Sequence, residues 1–161
     1  MYRVPGAVKR DPARRWALPD RVFFACGACH VLAYAVLRRH GAATGGEALW
    51  LRPRPGFTGN HVVAAGRDWV FDYHGYSSRE AFLRHTWAKA RRWWPGWDAS
   101  LVPLPLDVLV SEPLSRTHDG LWLREPADFL HDALLRAFAF LDRAGPPPAL
   151  DATRARADLP S

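Results

Sequence analysis

Glutamine is missing from this sequence, and asparagine occurs once, at Asn60. Lysine is nearly absent as well, occurring only at Lys9 and Lys89 among 22 basic residues. With Ala, Arg, Pro, Gly and Trp in excess, this is a bias of the whole chain. The arginines are scattered, apart from Arg14-Arg15, Arg38-Arg39 and Arg91-Arg92, so the net charge of +6 forms no phosphate-binding stripe. That pattern argues against a nucleic-acid partner. No apolar run approaches the roughly 18–20 residues that span a bilayer, so no membrane partner is expected. The basic N-terminus lacks the apolar stretch of a secretory signal, which points to the cytoplasm and leaves open only export that reads no such signal. Two cysteines separated by Gly27-Ala28 make no disulfide framework and fit a reducing compartment.

What is present is a packed globule's composition. The chain has 161 residues, 48% of them hydrophobic, with eight Trp, which suits one α+β domain with a real core. Residues 1–20 are rich in Pro and Arg and read as an irregular basic arm. Residues 21–145 form the domain. Residues 146–161 hold few bulky apolar side chains and read as a disordered tail.

Along the domain, Cys29, Leu32, Ala33 and Val36 follow helical spacing, with Arg38 and Arg39 in the last turn and Gly41 as the stop. Glu47–Leu51 reads as a strand. His61–Ala65 and Trp69–Tyr73 are β-rich runs around Gly66-Arg67-Asp68, a hairpin signal. Ser77 and Glu80 resemble a capping box that opens a helix to about Arg92. Asp107–Ser111 and Gly120–Arg124 read as further strands, after breaks at Pro103 and Pro105. Pro126 opens a last helix reaching about Arg143.

The chemistry gathers around Cys29. A thiol acts as a nucleophile when ionised, and a helix N-terminus favours that anion. The Gly27-Ala28 pair lets a substrate approach closely. The hairpin supplies partners: with an even loop, Ala65 pairs Val70, Val63 pairs Asp72 and His61 pairs His74. Side chains alternate across a sheet, so His61, Val63, Asp72 and His74 share one face, and Asp72 comes within reach of the His61 ring. A one-residue slip would separate them. The plainer readings are a buried small thiol, an ordinary strand histidine and an aspartate serving the turn at Gly75.

Cys26-Gly27-Ala28-Cys29 resembles the C-G-[SA]-C stretch at the head of the papain-like central helix. The succession of that helix, Asn60-His61-Val62-Val63 and Trp69-Val70-Phe71-Asp72 is similar to the H-x-x-V and W-x-x-D of the transglutaminase-like branch. The resemblance covers roughly residues 23–75. It implies Cys29 as nucleophile, His61 as base and Asp72 as orienting acid, with a protein or peptide-like amide as substrate and no cofactor or metal. Two departures stand out: His30 occupies the place of a usual Trp, and the glutamine of the papain-like oxyanion hole has no counterpart. That role would pass to the Cys29 backbone N–H with Trp50 or His30; Asn60 and His74 complete the set of substrate-lining candidates.

Other classes remain open at this point. C-x-x-C-H offers zinc Cys26, Cys29 and His30 with His61 or His74, and it is also a haem-attachment string. A thioredoxin-like redox role needs Arg21–Ala25 as a strand before the C-x-x-C. A non-catalytic interaction protein on a papain-like frame would use Trp87, Trp93, Trp94 and Trp97 with Arg91 and Arg92 as its surface, although a core role fits those tryptophans better. Composition assigns no oligomeric state.

Overall fold

In a computed structural model that describes residues 4–148, five antiparallel strands form a central sheet with helices on both faces. Three short helices open the chain: α1 (Gly6–Arg10), α2 (Pro12–Trp16) and α3 (Asp20–Ala25). The arm is therefore not irregular where it is described. Asp11 caps α2 by accepting from the Arg14 N–H at 3.0 Å, and Pro12 fits the first turn, where its missing N–H costs nothing. Arg21–Ala25 lies within a helix, which removes the strand that a thioredoxin-like unit requires.

The Cys-bearing helix α4 runs Cys29–Thr44 and passes through Gly41 instead of stopping there. Ala42 and Ala43 carry it another turn, and Gly45, at φ 60°, ends it with its N–H bonded to the Gly41 carbonyl. The sheet order is β4-β3-β2-β1-β5, from β1 (Glu47–Pro53), β2 (His61–Ala65), β3 (Trp69–Asp72), β4 (Gly75–Ser78) and β5 (Ala99–Leu104). The hairpin register has Ala65 opposite Val70 and Ala64 opposite Phe71, the pairing that an even loop dictates.

Strand β4 is absent from the sequence expectations, because Gly, Tyr and two serines carry no β signal. It pairs Ser77 with Val70, so Ser77 belongs to the sheet and the cap of helix α5 (Arg79–Trp93) moves to Ser78, which accepts from the Ala81 N–H. Strand β5 tolerates Pro103 because it pairs only with β1, where a missing N–H faces away from the sheet. Asp107–Ser111 is no strand: Leu106–Val110 is a 3-10 turn, followed by α6 (Glu112–Ser115). Gly120–Arg124 is extended coil, yet Leu121 and Leu123 are buried. Pro126 opens only a 3-10 turn; α7 (Ala133–Ala144) starts later, capped by Asp132. The expected tail lies, from Ala149 on, outside the described residues.

Strand alternation divides the core. Ala48, Trp50, Val62, Ala64 and Phe71 face α4 and α7, whereas Leu49, Leu51, Val63, Ala65 and Val70 pack beside Phe82 of α5. No helix among the described residues is long and apolar enough to cross a membrane. Leu32, 1% exposed on α4, anchors the larger core. Leu32→Ala is expected to cost about 2–5 kcal/mol, read as a lower urea midpoint at unchanged slope. A loss below about 0.5 kcal/mol would place that side chain outside the packed core.

Candidate active site

Cys29 is the first residue of α4, and Ala28 before it offers no side-chain cap. The leading N–H groups of the helix are thus left to act on the sulfur. His61 is the first residue of β2, placed where that strand emerges beside the helix start. The Val62 N–H points at Cys29 Sγ over 3.5 Å, which fixes the junction. Although the helix packs on one sheet face and His61 has the parity of the other, the two side chains meet at the strand end and hydrogen-bond.

Behind His61 stands Asp72, 5% exposed at its side chain. Its Oδ2 lies 3.6 Å from His61 Nε2, an ion-pair contact slightly longer than a hydrogen bond. With Nε2 turned to the carboxylate, Nδ1 is the nitrogen left for the sulfur. Asp72 also serves the turn: Oδ1 accepts the His74 N–H at 2.7 Å, and Oδ2 lies 3.3 Å from His74 Nδ1. Asp72 thus contacts both the turn and the His61 ring, one oxygen for each with His74 sharing the second. His74 itself is in the β3–β4 turn, not paired opposite His61 in a strand.

The charges reinforce one another. Burial alone would push the Cys29 thiol up; the His61 imidazolium beside it, its hydrogen bond and the nearby His30 ring hold the thiol well below its ordinary value. For His61, burial pushes down, but the Cys29 thiolate and Asp72 raise it to about 9. Asp72 resists its own burial through its contact with His61 and its hydrogen bonds with His74, and stays well below the usual carboxylate range. Both shifts favour a thiolate–imidazolium pair over two neutral groups. Cys26, in contrast, is pushed up, chiefly by burial.

The oxyanion candidates fare differently. His30 is 1% exposed and gives its Nε2 proton to the Arg124 carbonyl at 2.8 Å, so it is no free donor toward substrate. Its ring nonetheless lies close enough to pull on the sulfur, although Nδ1 makes no hydrogen bond of normal geometry. Trp50 is buried and donates Nε1–H to Asn60 Oδ1 at 2.8 Å, which commits its donor too. That bond settles the Asn60 amide: oxygen toward Trp50, Nδ2 hydrogens free to give elsewhere. Asn60, His61, Asp72 and His74 all line a cavity of about 540 Å³. Cys29 is partly exposed but not part of that wall; Cys26, Gly27 and His61, which flank it, are.

Sequence reading missed Arg15, because nothing in a Pro- and Arg-rich arm marks one arginine out. Its guanidinium, buried against Phe129, donates to the Gly27 carbonyl at 2.9 Å and the Cys26 carbonyl at 3.4 Å. Gly27 adopts φ +103°, and a Cβ there would come within 2.8 Å of Arg15 Nη2. The turn that presents Cys29 therefore needs glycine twice over. The tryptophans divide: Trp97 is buried, Trp87 partly so, while Trp93 is 46% exposed; Trp93, Trp94 and Trp97 all face the cavity. Among the described residues no group of three or more His, Cys, Asp or Glu is placed to hold a metal, and His30 Nε2 is committed to the Arg124 carbonyl.

No protein-family model, curated protein or solved structure matches this chain.

The ion pair exists between the lowered Cys29 value and about 9. Since His61 is raised, its stabilising charge is complete below about 6.5 and lost as pH rises through about 9. Cys29 and Asp72 are lowered, so their contributions vanish as pH falls. Alkylation of Cys29 by iodoacetamide is expected to stay fast at pH 6. His61→Ala should move the midpoint up toward the ordinary thiol value of about 8.5, because the largest influence opposing burial is removed. An identical pH profile for both proteins would show that His61 does not ionise the thiol.

Proposed function

We propose that this protein is a thiol enzyme of papain/transglutaminase-like type, acting on an amide or acyl bond of a protein or peptide-like substrate through a Cys29 thioester. The observation that carries the reading is that Cys29, His61 and Asp72 lie in sequence, the His61 ring between the sulfur and the carboxylate, an arrangement that lowers the thiol pKa. A buried cysteine with a merely structural role has its pKa raised, as Cys26 does.

Chemistry on these residues runs in two halves. The Cys29 thiolate attacks the acyl carbon, and the carbonyl π electrons move onto oxygen. The Cys29 backbone N–H at the uncapped helix end and the Asn60 Nδ2 donate to that oxyanion. As it collapses, the bond to the leaving group breaks, and the His61 imidazolium gives the departing amine or thiol its proton. Neutral His61 then takes a proton from water or an amine, which attacks the thioester and regenerates the thiolate. Asp72 keeps the ring oriented and stabilises its charge throughout. Hydrolysis, deamidation and acyl transfer share this path and differ in which nucleophile enters second.

A second reading, a non-catalytic interaction protein on the same frame, draws on the half-exposed Trp93 beside the cavity. It gives no reason for an ionised thiol.

An activated acyl probe is expected to add its acyl mass to the tryptic peptide bearing Cys29, and Cys29→Ser to abolish both adduct and turnover. Asp72→Asn should lower kcat by about 10²–10⁴-fold with Cys29 still alkylated. Acylation confined to Cys26, or none, would remove the enzyme reading. For the oxyanion, Asn60→Ala should reduce kcat by about 10²–10³-fold at nearly constant KM. Trp50→Phe, which frees the amide without deleting it, should cause a smaller loss in the same direction. Unchanged kcat in Asn60→Ala would leave the backbone N–H as the only assigned donor.

A further inference from the structure

The cavity beside the site has a charge pattern that the thioester chemistry does not require. Its wall carries four permanent cations, Lys9, Arg15, Lys89 and Arg124, against one carboxylate, Asp72. That carboxylate is already committed to His61 and His74. Two of the cations are also committed: Arg15 to the Cys26 and Gly27 carbonyls, and Arg124 to the Asp128 carbonyl at 3.3 Å. Lys9 on α1 and Lys89 on α5 have no ion-pair partner among the described residues, whereas nine arginines do. They are the only two lysines in a chain with 20 arginines. Distant in sequence, they are brought by α1 and α5 to the same 540 Å³ space as Asn60 and His61.

Two ammonium groups without a carboxylate partner on the wall of one concavity give it a positive potential that draws an anionic ligand. The wall is also aromatic, with Trp93, Trp94, Trp97 and Trp122, the last 61% exposed. The volume fits a small molecule. We infer that the cavity binds a compact acyl or amide compound that has an aromatic or apolar body and an anionic group, carboxylate or phosphate, held by Lys9 and Lys89. This rests on the thioester reading only for the reacting end of the molecule; the binding of the anion stands by itself.

Isothermal calorimetry on the full chain tests it with three probes of one shape: 2-naphthoate, 2-naphthyl phosphate and neutral 2-naphthamide. Both anions, or one of them, should bind at least about tenfold tighter than the amide, and the stronger arm identifies carboxylate or phosphate as the natural group. Added salt should weaken the anions and spare the amide. The double variant Lys9→Met/Lys89→Met should erase the difference, and Lys9→Arg/Lys89→Arg should restore most of it. Equal affinity for all three probes, or retention of the preference in the Met variant, overturns the inference. So does a single-stranded oligonucleotide that binds more tightly than either naphthyl anion, since the basic and aromatic wall would then serve nucleic acid. Iodoacetamide alkylation of Cys29 in the same samples reads the thiol separately. Selective anion binding with a sluggish Cys29 keeps this inference and removes the thiol chemistry, and a fast Cys29 without selectivity does the reverse.

Discussion

The meeting of Cys29 with His61 joins residues whose side chains belong to opposite faces of the sheet. Helix α4 belongs to the core on one side of the sheet, whereas the parity of His61 and Asp72 belongs to the other. The two sets come together only at the open end of β2, where the first residue of a helix meets the first residue of a strand. The Val62 N–H to the sulfur, at 3.5 Å, ties that joint. Each neighbouring feature protects it: the Arg15 clamp and Gly27 shape the approach to the helix, and Asp72 holds the ring from behind. The electrostatics depend on the same joint, since each of Cys29 and His61 is the largest influence opposing the other's burial.

The site was far more legible in the sequence than its surroundings were. Periodicity alone located the hairpin, and an even loop set Ala65 against Val70. One register then puts His61 and Asp72 on one face. The start of α4 was legible because Gly27-Ala28 breaks what precedes it. Its end was not, because Gly41 is tolerated inside a helix whose next two residues are alanine, and a positive φ at Gly45 becomes visible only in three dimensions. Strand β4 escaped notice because a four-residue edge of Gly, Tyr and Ser is held by pairing with β3 and not by its own propensity. Pro103 argued against a strand on local grounds, and its edge location overrides that argument.

Donor roles were the least legible part. His30 and Trp50 carry the right groups, but their protons go to Arg124 and Asn60, a fact of tertiary contact that no spacing encodes. The chain without glutamine turns to its single asparagine, and the indole of Trp50 orients it. Arg15 shows the same limit from the other side: a residue in an unremarkable arm becomes the clamp on the nucleophile's turn. The α+β class follows from the alternation of periods along the chain, whereas the order β4-β3-β2-β1-β5 depends on which edges the later segments choose.

Those edges carry a consequence of their own. One side of the sheet ends in β4, four residues long with Ser77 and Ser78 exposed, and the other in β5, where Pro103 interrupts the row of donors. A strand from another copy, seeking a ladder to extend, meets a short polar stub on one flank and a missing hydrogen on the other. The sheet is closed to growth at both margins. A chain this rich in apolar residues is thereby shielded from cross-β assembly by its outermost strands, not by its charge.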